Sequence, residues 1–150
     1  IKKNLPYNTY NLNCDISTDT IYDIIICYGT LYHLEYPANA IKNLSNICKE
    51  FIIISTAGNG KDDGIRFLKE ANENAQSYTL IGCRPGRKWM YNELNKYFKY
   101  IYFPISQPEH TDFKKDWSKP NDETCRFIII GSHIKLDNVN LVSELPIIYN

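Results

Sequence analysis

The sequence predicts an α/β fold in which helices cover both faces of a mostly parallel sheet whose last strand runs antiparallel. Three observations carry that reading. The runs Asp23–Cys27, Phe51–Ser55 and Arg126–Gly131 are almost continuously β-branched or aromatic and do not alternate with polar residues, as strands buried on both faces do. Stretches of helical period lie between them. The last two strands follow one another with no helix, which makes them antiparallel neighbours.

The elements follow in order. Tyr7 to Asn13 alternates Tyr10 and Leu12 with asparagines and reads as a short strand ending at Cys14-Asp15. A second strand covers Tyr22 to Tyr28. Pro37 opens a helix whose Ala40, Ile41, Leu44, Ile47 and Cys48 form one apolar stripe. Phe51 to Ser55 is the third strand, broken by Gly58-Asn59-Gly60. Asp62-Asp63 is placed to cap a helix reaching about Asn74. Ser77 to Pro85 is irregular or a short strand. A stronger helix spans Arg87 to Phe98, with Met90, Leu94 and Tyr97 on one face. Tyr100 to Phe103 is a strand stopped by Pro104. Ile105 to Thr124 carries Pro108 and Pro120 and shows no period, and irregular runs of this length are often functional. Arg126 to Ser132 is the last strand. The predicted domain is therefore residues 1–133, with 134–150 as a tail.

Composition sets the class. The 150 residues are 43% hydrophobic with zero formal net charge, an ordinary globular balance with no basic footprint for nucleic acid. No apolar stretch reaches the ~18 residues of a membrane span. The five cysteines form no C-x-x-C pair, so reduced, buried thiols in a cytoplasmic protein are expected, without a metal site. The chain opens at Ile1-Lys2-Lys3 with no strand-turn-helix unit ahead of the first strand. It reads as the C-terminal part of something longer, with the N-terminal strands missing.

The segment Tyr22-Asp23-Ile24-Ile25-Ile26-Cys27-Tyr28-Gly29-Thr30-Leu31-Tyr32-His33-Leu34, followed by Pro37, resembles the fourth strand and loop of class I (Rossmann-like) methyltransferases dependent on S-adenosyl-L-methionine (SAM). Phe51–Thr56 is similar to their fifth strand, and the closing hairpin to their antiparallel departure from dehydrogenase sheets. The block Cys83–Trp89, continued by Gln107–His110 and Trp117, resembles a less studied bacterial subgroup. The resemblance covers about Tyr7 to Ser132. It implies SAM as cofactor, with Asp15 and Ile16 at the adenine and Cys27, Tyr28 and Gly29 flanking the methionine part. The family's Gly-rich first turn and its ribose-binding acidic residue have no counterpart after Ile1.

The remaining candidates surround that site. His33 follows a strand's carboxyl end and serves either as a general base or as a packed turn residue. Gln107, Glu109, His110 and Trp117 form either a lid over the substrate or an ordered loop covering the sheet edge. Arg84, Arg87 and Lys88 either hold an acidic substrate group or make a solvated basic turn. Trp89 reads as core. Gly58-Asn59-Gly60-Lys61-Asp62-Asp63-Gly64 fails as a phosphate cradle, because the glycine spacing is wrong and two aspartates would repel a pyrophosphate. The expected activity is methyl transfer to an oxygen or nitrogen of a small molecule, such as a sugar or metabolite, without nucleic acid or membrane. The alternatives are an inactive binding module that pairs with a second copy or a partner chain through an exposed sheet edge, and, more weakly, a nicotinamide-dependent oxidoreductase.

Overall fold

In the computed structural model, residues 9–72 and 77–150 are described. They form β1 (Tyr22–Tyr28), a 3-10 turn (Leu31–His33), α1 (Pro37–Asn46), β2 (Cys48–Asn59), β3 (Ile65–Lys69), β4 (Ile81–Pro85), α2 (Arg87–Leu94), β5 (Tyr100–Pro104), β6 (Thr124–Ser132) and β7 (Leu141–Val142). The main sheet has the order β1-β2-β6-β5-β7, and β3 and β4 form a separate hairpin. β6 inserts between β2 and β5 and pairs antiparallel with both, while β1 and β2 are parallel. The sheet is thus mixed, and the expected mostly parallel pairing is corrected. One reversed strand in the middle turns both of its ladders antiparallel, even though β1, β2 and β5 run the same way.

The expectation of helices on both faces is also corrected. Register puts Ile25, Cys27, Ile52, Ile54, Phe127 and Ile129 on one face. These pack with Ala40, Ile41 and Leu44 of α1 and Met90 and Leu94 of α2 in a single core. Both helices therefore lie on the same side. On the opposite face of β1, Ile24, Ile26 and Tyr28 remain 48%, 70% and 68% exposed. A non-alternating run reports that both faces are apolar, but not that both are covered within one chain.

Four local readings change for identifiable reasons. Tyr7 and Asn8 of the first expected strand lie outside the described residues, and 9–13 pair with no strand among those described, with a turn at Leu12-Asn13 closed by the Cys14 N–H on the Asn11 carbonyl. Side chains hold this segment. The Asn13 amide oxygen accepts from the Tyr36 N–H, and Asn43 donates to the Cys14 carbonyl, a competition with regular pairing that asparagine favours. The expected helix after Asp62-Asp63 is β3, which pairs with β4. Asp62 is indeed a capping carboxylate, but it accepts the backbone N–H of Arg87 at the start of α2. The third strand does not break at Gly58 but continues to Asn59, with Gly58 opposite Cys125. A Cβ on Gly58 would lie 2.4 Å from both the Phe127 ring and the Pro85 carbonyl, so only glycine admits this approach. α2 ends at Leu94 rather than Phe98, and Phe98 turns in against Gly131.

The segment read as a tail packs onto the body. β7 pairs with β5, the Trp117 backbone N–H donates to the Ile147 carbonyl, and Tyr149 is buried. Among the described residues, no helix is long and apolar enough to cross a membrane.

Candidate functional site

At the carboxyl end of β1, Gly29 adopts φ +70°, a left-handed turn that favours glycine. A Cβ there would meet only the Tyr32 hydroxyl, at 3.9 Å. The backbone therefore opens onto a cavity of about 430 Å3. Its floor is Tyr28, Gly29 and Tyr32, and its wall is His110, Asp112 and Phe113 of the long irregular segment, with Arg126 from β6. The segment is held there by a bridge between Phe113 and Arg126 and by the Arg126 N–H donating to the Asp112 carbonyl. It crosses the carboxyl edge of β1 and β2, as a lid would.

Tyr32 organises the polar groups. Arg84 and Arg126 each lie 5.1 Å from its ring centroid, a distance at which a guanidinium is attracted to the π face. Arg126 Nη2 donates to the Tyr32 hydroxyl at 3.1 Å, and its Nε lies 3.5 Å from Asp112. Arg84 donates to the Tyr32 carbonyl and stands 3.6 Å from Glu70. The His33 ring rests against Tyr32 with centroids 4.1 Å apart, and its Nδ1 lies 2.7 Å from Glu70 Oε2. Burial alone would raise the Glu70 carboxyl. The hydrogen bonds from His33 and the Ser77 N–H, with the charges of His33 and Arg84, hold it below its ordinary 4.5.

A carboxyl whose pKa is lowered by folding stabilises the fold above its unfolded value and loses that contribution as pH falls through the lowered pKa. The stability difference between wild type and Glu70→Gln is therefore expected to be largest near neutrality and to shrink below pH 4.5. Urea denaturation at stepwise lower pH measures this. A difference independent of pH would remove Glu70 from the ionised network.

The remaining candidates fall in different places. Asp15 is exposed and lines a second, shallow cavity of about 430 Å3 with Asn13, Tyr36 and Asn39. Ile16 is half-buried. Cys27 turns into the core, where burial pushes its thiol up to about 11, so only its backbone faces the site. Burial likewise raises Cys48 and Cys125 to about 11 and Cys83 to about 12, while Cys14 is exposed. Of the expected lid residues, His110 lines the cavity. Gln107 is buried, Glu109 bonds Lys115 in solvent, and Trp117 is buried with its indole N–H on the Lys114 carbonyl. The expected basic turn is divided: Lys88 is exposed, Arg84 is half-buried, and Arg87 is buried against Asp62. Trp89 packs against the core.

Sequence reading missed Tyr32, Glu70, Phe113 and Arg126. Glu70 fell in the segment read as a helix. Arg126 had a signal, a charge at the head of an apolar run, but its partner Tyr32 lies far away in the chain. Among the described residues, no group of three His, Cys, Asp or Glu side chains converges as metal ligands would. A larger cavity of about 710 Å3, between Tyr102, Ile105 and residues 141–150, has Glu144 as its one charged lining side chain.

No protein-family model matches the chain, and no curated protein sequence does. Among solved structures it is similar to the N-terminal domain of EvdMO1 with SAH bound, at 19% identity and a TM-score of 0.57, over 75% of this chain and 47% of that one. It is also similar to the same domain in the presence of SAH and D-fucose, at 19% identity and a TM-score of 0.59, over 83% and 51%. The chain spans about half the length of these domains. At this identity the likeness is one of fold: the chain has the α/β architecture of a domain solved with SAH.

Proposed function

We propose that the chain belongs to a SAM-dependent methyltransferase, with a small polar molecule such as a sugar as acceptor. The observation that carries this reading is β6, inserted antiparallel between two strands of common direction, with a cavity at the carboxyl end of β1. A domain solved with SAH has a similar overall fold, which supports the reading.

The residues present fit such a cofactor. The open turn at Gly29 admits close backbone approach, and the Ser55 hydroxyl, in register with Tyr28, is buried without a partner among the described residues. Asp15 is a carboxylate free to accept from an adenine amine. SAM, when bound, supplies an electrophilic methyl on a sulfonium. Of the chain's own residues, Tyr28, Tyr32 and Phe113 offer aromatic surface to a ring, and Asp112, His110 and Arg126 offer acceptors and donors to hydroxyls. Alignment of the acceptor is then a large part of the rate.

Titration calorimetry of SAM and S-adenosylhomocysteine into this chain, with NAD as control, tests the reading. Binding of the SAM pair alone is expected, weakened by Asp15→Ala roughly ten- to a hundredfold, about the 1.5–3 kcal/mol of a hydrogen bond to a charged group. No binding by a folded chain would sink the reading of a site complete within these residues. It would favour the second one, a binding module. The uncovered apolar face of β1 supports that second reading, because exposed apolar surface of this kind marks association. Light scattering with and without Ile26→Lys distinguishes a self-associating chain from a monomer.

A further inference from the structure

Glu70 is absent from every sequence motif, yet its side chain is only 2% exposed and it grips one nitrogen of His33, whose ring packs against Tyr32, a lining residue of the cavity. A carboxylate can only accept, so the 2.7 Å contact from His33 Nδ1 to Glu70 Oε2 puts the hydrogen on Nδ1. In the neutral ring the lone pair is then on Nε2. Nε2 has no protein hydrogen-bond partner among the described residues, and the His33 side chain is 21% exposed.

The surroundings hold this arrangement firmly. Ser77 N–H donates to the same Oε2, and Arg84 stands 3.6 Å from Oε1, balancing the charge. Gly82 makes room, since a Cβ there would lie 2.3 Å from Oε1.

We propose that Glu70 is a positioning residue that locks His33 as the Nδ1–H tautomer and so presents Nε2 as the proton acceptor for the methyl acceptor's hydroxyl or amine. The proposal rests on the methyltransferase reading. The acceptor's O–H or N–H bond breaks, its proton goes to Nε2, and the electron pair stays on the acceptor. The resulting imidazolium is held against the Glu70 carboxylate, an orientation-and-charge role that a carboxylate behind a histidine commonly fills.

Two measurements on the full chain test this without SAM, so their failure is distinct from failure of the cofactor titration. Nitrogen-15 NMR of labelled histidine in the wild type is expected to show His33 as the Nδ1–H tautomer. An Nε2–H tautomer overturns the proposal and requires no variant that might misfold. Diethyl pyrocarbonate, which acylates unprotonated imidazole nitrogen, is then followed residue by residue by mass spectrometry. His33 is expected to react at least as fast as His110, although the His110 side chain is 62% exposed. Glu70→Gln is expected to slow His33 several-fold while leaving His110 and His133 unchanged. An unreactive His33 in the wild type, or a rate indifferent to Glu70→Gln in a folded variant, would reduce the pair to a brace in the turn.

Discussion

Asp62→Ala is expected to destabilise the chain by about 3–5 kcal/mol, because it leaves a buried guanidinium without its counter-charge. Arg87 is among the largest fully buried side chains in the molecule. It donates from Nε and Nη2 to the two Asp62 oxygens at 3.0 and 2.7 Å, and its backbone N–H uses Asp62 Oδ1 as well. Its Nη1 reaches the Pro146 carbonyl and the Tyr149 hydroxyl, and its plane lies 3.8 Å from the Trp117 ring centroid. One carboxylate thus holds the start of α2, the residues after β7 and the far end of the long segment. For a chain of this length the loss corresponds to a fall in Tm on the order of 10 °C. Limited proteolysis should open residues 141–150 first. Asp122→Ala removes a partner of Lys61 on the open surface and is expected to leave Tm unchanged, as exposed pairs contribute little. Equal melting of the two variants would show that the Asp62 network does not hold the fold.

Phe127→Ala is expected to cost a similar amount, about 3–5 kcal/mol, from lost burial and the cavity left behind. Phe127 is fully buried on the helix-covered face of β6, with its ring against Gly58 and edge-on to Trp117 at 6.2 Å and 83°. It joins the sheet to the segment that walls the candidate site. Its removal should therefore lower the urea midpoint and also redden the Trp117 emission as that ring loses its support. Ile26→Ala is the internal control. Ile26 lies on the uncovered face, and its truncation is expected to fall within about 0.5 kcal/mol. Should the two substitutions cost the same, the assignment of the packed face to Phe127 would be wrong.

The elements most legible in the sequence were those with a strong local signal. β1, α1, β5 and β6 lie where their apolar runs, Pro37 and Pro104 put them, and the helixless step from β5 to β6 already implied an antiparallel neighbour. The misread elements share a cause. Asp62 has the chemistry of a helix cap, and it is one, but the helix begins 25 residues further on. Asn13 has the chemistry of a turn, and its partners are Tyr36 just before α1 and Asn39 within it. Gly58 looks like a breaker and is instead a point of close packing against β6 and Pro85. In each case the residue type was informative and the partner was not.

The same division holds at the site. His33, Gly29 and His110 were visible because each lies beside a strand end or in an unpatterned stretch between strands. The groups that give them a chemical setting, Glu70 behind His33 and Arg126 against Tyr32, come from the β3–β4 connection and the start of β6. Local pattern determined which segments are strands and helices, because propensity and period act over a few residues. Tertiary structure alone decided that both helices lie on one face and that a buried carboxylate stands behind a histidine 37 residues away. Such pairings are selected by burial and charge in three dimensions, where distance along the chain has no bearing on contact.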